Sequence, residues 1–303
     1  MSKSASIHKG IRISADDRIY YIIVYIILSL LLLMIIYPLV FIVSSSFSSP
    51  YAVSTGRVKL LPVQFSLEGY NAVFQHKGIL IGYRNTVVYT VVGTLINLVM
   101  TIITAYALAR KTLPGRSVIT FLFTFTMIFG GGMIPNYILL KDLRMLNSLW
   151  AMVVPGAIAV YNLIIAKTFI ENSIPHELLE ASKIDGCSDF KYFSQIVLPL
   201  SKSILAVLVL FYAVGHWNSY FDAFLYLNNR DLFPLQIVLR EVLVKNSIDA
   251  GLIEDPELAT AKQGMADLLK YSLIIVSTVP VMCLYPFVQK YFITGVMIGS
   301  IKG

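Results

Sequence analysis

The sequence predicts an all-α, polytopic membrane protein with six transmembrane helices. Of its 303 residues, 57% are hydrophobic and 14% are charged, whereas an average soluble domain has about 25% charged residues. Six apolar stretches are long enough to cross a hydrocarbon core of about 30 Å, which takes roughly 20 helical residues. Spans in lipid must satisfy their backbone hydrogen bonds internally, and the alternation typical of barrel strands does not occur, so helices are expected.

The predicted membrane domain covers residues 19–293. Its first span is the clearest, because no charged residue lies between Arg18 and Arg57. This apolar run is far longer than the 7–15 residues of a secretory signal core, so we expect an uncleaved span. The six spans are Ile19–Val43, Thr86–Ala109, Ser117–Leu140, Leu149–Ile170, Ser203–Leu227 and Leu268–Ile293.

Basic residues near the span ends predict that both termini are cytoplasmic. The two faces hold similar numbers of Lys and Arg, but Arg110, Lys111 and Arg116 crowd one short loop. The outer basic residues spread over long loops, which weigh less in this rule. The segments outside the membrane are the cytoplasmic termini 1–18 and 294–303, the cytoplasmic loop 171–202, and the extracellular loops 44–85 and 228–267.

Charge and cysteine content exclude two further classes of protein. The net charge of +7 comes without a basic stripe interleaved with exposed aromatic residues, so nucleic-acid binding is not predicted. Cys187 lies in a predicted loop and Cys283 within a span. They cannot pair across that distance and have no metal-type spacing, so we expect free thiols and no metal site.

The loop 171–202 has the pattern of a helix, a glycine turn and a second helix. Pro175 suits the first turn of a helix, and Glu180 follows near its positive end. Gly186 can end that helix in a left-handed conformation, and Ser188 can cap the next one. From the residues alone, an amphipathic interfacial linker and a docking loop explain this pattern equally well.

The full spacing favours docking. It reads Glu-Ala-Ser, three residues, Gly, nine residues and Ile-x-Leu-Pro, and it resembles the cytoplasmic EAA loop of permease subunits from ATP-binding-cassette (ABC) importers. Small residues here would let the surface of another protein approach closely. The matching positions are Glu180, Ala181, Gly186, Ile196, Leu198 and Pro199, with Ser182 where the family has a second Ala.

Other segments extend the resemblance over most of the chain. They look like the carbohydrate-uptake branch of these permeases, to which the maltose permease also belongs as a more distant relative. Within that branch they resemble most the LplC/YtcP-like permeases for complex or uronate-containing oligosaccharides. The segments are Phe129–Pro135, Asn147–Trp150, Lys183–Gly186 and Phe211–Asn218.

The resemblance implies a type I ABC importer permease in a bacterial cytoplasmic membrane. The loop's short helix would enter a groove of an ATPase subunit, with Glu180 contacting that surface. Two such subunits would bind ATP and Mg²⁺, a second, non-identical permease would complete the pathway, and an extracellular solute-binding protein would deliver the oligosaccharide. The implied ATPase-coupling residues are Glu180, Ala181, Ser182, Asp185, Gly186, Ile196, Leu198 and Pro199.

We predict a transport subunit with no catalytic residue and no cofactor of its own. The chain has no G-x-x-x-x-G-K-[ST] phosphate loop, and His176 begins half of a zincin motif whose second His is missing. An ion-coupled carrier for a polar solute is the alternative. Such carriers place sites at mid-span between paired repeats, but acidic residues are nearly absent from these spans apart from Asp222.

A polar patch in span five is the candidate substrate pathway. Ionisable groups in spans are costly and usually face a cavity or the bundle interior, and spacings of three and four place several of these residues on one helix face. Aromatic belts at the interface and polar ties between helices remain alternatives. The candidates are His216, Trp217, Asn218, Tyr220 and Asp222, with Tyr161 and Asn162 in span four.

The third span contains an interruption. Gly130, Gly131 and Gly132 precede Pro135, and each glycine lowers helix propensity by about 1 kcal/mol relative to alanine. A hinge and close helix packing both explain such glycines, and close packing is the preferred interpretation because it is the more common in membrane spans.

Overall fold

The computed structural model describes residues 15–249 and 256–297, and within them the regular structure is helical. Most of both predicted terminal segments therefore lies outside the described residues. The helices are α1 (Ala15–Ser46), α2 (Pro50–Ser54), α3 (Glu68–Gln75), α4 (Lys77–Ala109), α5 (Arg116–Ile128), α6 (Met133–Asp142), α7 (Leu149–Val153), α8 (Val160–Ser173), α9 (His176–Ile184), α10 (Asp189–Tyr192), α11 (Leu198–Leu200), α12 (Lys202–Trp217), α13 (Phe221–Tyr226), α14 (Leu235–Asp249) and α15 (Pro256–Met297), with a π-helical turn (Phe193–Val197) and a 3₁₀ turn (Arg230–Leu232).

Three predicted spans fall within continuous helices that are long and apolar enough to cross a bilayer, namely the first in α1, the second in α4 and the sixth in α15. The third predicted span is bent, because helices α5 and α6 meet at 113°. The fifth, Ser203–Leu227, is wrong as one continuous helix, because α12 ends at Trp217 and α13 begins at Phe221. A further bend of 78° at Ser201 lies just before it. The described residues thus hold three continuous candidate spans, or five if each bent pair counts as one.

The fourth predicted span is wrong as a continuous helix. Helix α7 ends at Val153 and α8 begins at Val160, with Pro155 and Gly156 between them. Proline has no backbone N–H and disfavours the α conformation of the residue before it, which accounts for the interruption. Both helices pack against α4.

The glycines of the third span lie at its sharp bend. Gly132 has φ +85°, and a Cβ placed on Gly130, Gly131 or Gly132 would meet no atom within 4 Å. Within the described chain they bend the backbone and do not mediate close packing, which corrects the preferred interpretation. Pro135 lies in the first turn of α6, where its missing N–H costs nothing.

Helix α4 is the centre of the described bundle and packs against α8, α12 and α14. The face that it buries carries small and polar residues such as Gly93, Asn97 and Thr101. In lipid, close backbone approach and hydrogen bonds between helices replace the hydrophobic effect as the source of packing energy. Its 33 residues extend about 50 Å, so α4 connects the loop 171–202 at one end with Arg230–Asp249 at the other.

The predicted extracellular loop 228–267 carries several charged residues, which indicate a solvated surface, but part of it forms a partly buried helix. It contains helix α14, whose Leu235, Val238 and Val242 are buried in one cluster with Val73 and Leu273. Polar side chains of α4 fix the segment before α14, because Asn85 Nδ2 donates to the carbonyls of Asp231 and Phe233 at 2.7 and 3.0 Å. Both ends of α4 therefore hold structured, membrane-flanking segments.

Candidate coupling loop and substrate pathway

The loop 171–202 folds as a helix, a left-handed glycine turn and a second helix. Helix α9 ends at Ile184, the exposed Asp185 is its C-cap, and Gly186 follows with φ +73°. The N–H of Cys187 then donates to the carbonyl of Ser182 at 2.8 Å, which closes the turn. Ser188 Oγ accepts from the N–H of Lys191 and so caps α10, as the sequence predicts.

One side of the loop anchors it to the bundle. Leu179, Tyr192 and Val197 form a buried cluster against Tyr106 of α4. The second half of the sequence motif belongs to this anchor, because Ile196 and Leu198 are half-buried against the bundle. Pro199 stays exposed within α11.

Ion pairs reinforce the anchor. Arg110 Nη1 lies 2.7 Å from Asp189 Oδ1 and 2.8 Å from Tyr106 Oη. The hydrogen bond from Arg110 holds the pKa of the Asp189 carboxyl below its usual value. Glu171 accepts from both Arg116 and Lys167. One ion pair therefore joins the end of α4 to α10, and another joins the start of the loop to α5.

The opposite side of the loop is exposed. Glu177, Glu180, Ala181 and Ile184 recur at spacings of three and four and share one face of α9, whereas Ser182 is buried and its Oγ donates to the Leu179 carbonyl at 2.8 Å. Ser182 thus faces this chain, contrary to the expectation that it would admit a partner.

Two exposed apolar side chains were not among the predicted coupling residues. Ile184 is 87% exposed and Phe190 is 78% exposed, on either side of the Gly186 turn. Bulky apolar residues flanking a glycine turn in an otherwise polar loop are the signal that could have found them. These two residues, together with Glu180 and Ala181 of the exposed face of α9, form what we call the coupling surface.

Two of the candidate pathway residues tie helices together. His216 Nε2 lies 2.6 Å from Asn97 Oδ1, and Asn97 Nδ2 donates to the Gly156 carbonyl. Buried Trp217 donates from Nε1 to the Ser277 carbonyl at 2.9 Å. Both side chains therefore form hydrogen bonds between helices of this chain, which agrees with the alternative that polar residues of the patch tie helices together.

The shared helix face expected for the patch does not form. Helix α12 ends at Trp217 and α13 begins at Phe221, so the residues between them leave the helical register. Asn218 is exposed and bonds back to its own helix, with Nδ2 2.9 Å from the Val214 carbonyl. The remaining accessible candidates are Tyr161 and Asp222, with Tyr220 half-buried and Asn162 buried.

Among the described residues, no group of three or more His, Cys, Asp or Glu side chains could hold a metal ion. Cys187 and Cys283 are free.

Comparison with known proteins identifies one family and close relatives. Residues 77–237 match the model of the family described as "Binding-protein-dependent transport system inner membrane component". The polygalacturonan/rhamnogalacturonan transport system permease protein YtcP of Bacillus subtilis (strain 168) is 38% identical over 288 residues, which is 95% of this chain and 99% of YtcP. The protein LplC of the same organism is 40% identical and covers 88% of this chain and 90% of LplC.

A solved structure has the same fold. It comes from a bacterial ABC transporter involved in the import of the acidic polysaccharide alginate. The TM-score is 0.84 at 34% sequence identity, and the match covers 93% of this chain and all of the other. The helical order described above is therefore that of an ABC importer permease.

Proposed function

We propose that this chain moves a complex or uronate-containing oligosaccharide across a bacterial cytoplasmic membrane. The chain belongs to the family of binding-protein-dependent transport system inner membrane components, and the proposal starts from that membership. It is a membrane transport subunit and not an enzyme. Family membership favours this function over an ion-coupled carrier. The relatives named for polygalacturonan, rhamnogalacturonan and alginate support an acidic carbohydrate as the substrate.

The observation that carries the mechanism is the two-sided coupling loop. Its anchored side is fixed to α4 by apolar packing and the Arg110–Asp189 pair, while Ile184 and Phe190 project from the other side. Apolar side chains that protrude from a rigid turn fit the groove of a partner protein. We assign that groove to a cytoplasmic ATP-binding-cassette ATPase, whose ATP-driven movement would be transmitted through the anchor to α4.

The assembly that follows from this role has five chains. Two ATPase subunits would bind ATP and Mg²⁺, a second, non-identical permease would supply the other half of the pathway, and an extracellular solute-binding protein would deliver the sugar. The loop then lies in the cytoplasm with both termini, and Arg230–Asp249 lies outside.

Reconstitution of that assembly in proteoliposomes tests the function. We expect uptake of an oligogalacturonate that requires ATP, the binding protein and this chain. The double change Glu180→Arg with Gly186→Val should leave the protein inserted, abolish uptake and uncouple ATP hydrolysis. It reverses a charge at the coupling surface and places a β-branched side chain on a residue in the left-handed conformation. Normal uptake by this variant would refute the coupling role.

A further inference from the structure

At the end of α4 opposite the coupling loop, a cavity of about 420 Å³ opens beside α13 and α14. Its wall combines aromatic rings with polar groups: Phe224 and Phe233 supply the rings, and Asn228, Arg240 and Glu241 supply an amide, a guanidinium and a carboxylate. Apolar pockets with a few converging polar groups are typical of small-molecule sites. The coupling loop, about 50 Å away along α4, is not part of it.

Arg240 is held in this cavity by aromatic faces. Its guanidinium carbon lies 5.1 Å from the ring centroid of Tyr220 and 5.2 Å from that of Phe224, within the range of cation–π contacts. Among the described residues, it forms no ion pair with a carboxylate. Two rings therefore position the guanidinium, and no carboxylate of the described residues neutralises it.

Contact with aromatic rings does not use up the hydrogen-bond donors of an arginine. A guanidinium carries five N–H donors in a planar fork, and no described carboxylate pairs with those of Arg240. Two parallel N–H groups match the two oxygens of a carboxylate, which makes arginine the preferred residue for bidentate recognition of that group. A lysine would supply the charge but not the fork.

We infer that this cavity recognises the uronate residues of the substrate, with Arg240 binding the sugar carboxylate. This inference rests on the proposed function. Phe224 and Phe233 contact the apolar face of the ring, and Asn228 and Glu241 bond its hydroxyl groups. Tyr220, a candidate pathway residue, acts here as a positioning residue that holds Arg240.

Uptake by the reconstituted complex is the first test. With trigalacturonate as substrate, Arg240→Gln should lower uptake about tenfold to hundredfold, the factor that a charged hydrogen bond supplies, and Arg240→Lys should restore part of it. Arg230→Gln is the matched control, because Arg230 is also an exposed arginine at this end of the chain, and it should retain wild-type uptake. Arg240→Gln with uptake within twofold of wild type would overturn the inference.

Direct binding separates carboxylate recognition from a structural role. We expect the wild-type complex in nanodiscs to retain trigalacturonate in equilibrium dialysis more tightly than its fully methyl-esterified form. Arg240→Gln should remove that preference, and the control Arg230→Gln should keep it. Equal binding of acid and ester by the wild type, or binding of neither, overturns the inference even where uptake succeeds. Absence of wild-type trigalacturonate uptake instead refutes the proposed substrate.

Discussion

The coupling loop and the segment 216–222 both place polar and aromatic residues beside apolar helices, but the two regions use them differently. In the loop, apolar contacts and ion pairs fix one side, and Ile184 and Phe190 remain exposed on the other. In the segment, the polar groups of His216 and Trp217 bond to neighbouring helices. The difference shows that residue type alone does not identify a partner-binding surface. A side chain can bind a partner only where it is exposed and is not already bonded to another part of the same chain.

The largest effect expected from this comparison is at the coupling surface. Ile184→Asp with Phe190→Asp should lower uptake more than tenfold, because burying an unpaired charge in an apolar contact costs several kcal/mol. Gln195→Asp, which adds one negative charge at another exposed position of the loop, should retain uptake, whereas Ile184→Asp or Phe190→Asp alone should already lower it. Proteoliposome uptake and the copurification of ATPase subunits measure the two effects, and an unchanged double variant would mean that these side chains do not dock.

A smaller effect is expected at the helix tie. His216→Leu leaves the buried Asn97 amide oxygen without its donor, which should cost about 1–3 kcal/mol of stability and lower the melting temperature in detergent. Asn97→Leu with His216→Leu should cost less than the sum of the single changes, since both partners are removed together.

Asn218→Ala is the control for that experiment, because the side chain of Asn218 is exposed and bonds back to the Val214 carbonyl of its own helix. It should shift stability by no more than about 0.5 kcal/mol. If His216→Leu abolished uptake at an unchanged melting temperature, His216 would be a pathway residue and the contrast between the two regions would fail.

The loop conformation could be predicted because its determinants are local. Gly186 requires no long-range contact to take a positive φ, and Ser188 caps α10 by accepting from the N–H of Lys191, only three residues away. The role of His216 depends on Asn97, which is 119 residues distant, so no pattern within span five could decide between a sugar contact and a helix tie. The bend at Gly132 lies between these cases. The local run of glycines indicates where the helix breaks, but the angle of 113° between α5 and α6 depends on how the two helices pack.

The sequence also did not predict which side chains of the loop are exposed. Ser182 occupies a position of the EAA pattern but is turned inward, while Ile184 and Phe190, outside the predicted coupling residues, are among the exposed apolar side chains of the chain. Arg240 in α14 is a similar case, because its aromatic partners belong to a different segment, Tyr220 just before α13 and Phe224 within it. Such contacts depend on how separate segments pack, which local sequence does not show.

The smallest effect is expected where the loop joins α4. Asp189→Asn removes the ion pair with Arg110 but leaves the apolar anchor, so it should reduce coupling only slightly. Because the pKa of the Asp189 carboxyl is lowered in the folded protein, its contribution is present above the unfolded value of about 3.8 and is lost as the pH falls through the folded value. The wild type and Asp189→Asn should therefore differ by a constant ratio of uptake between pH 6 and pH 8. A ratio that changes across that interval would show that another titrating group controls the attachment of the loop.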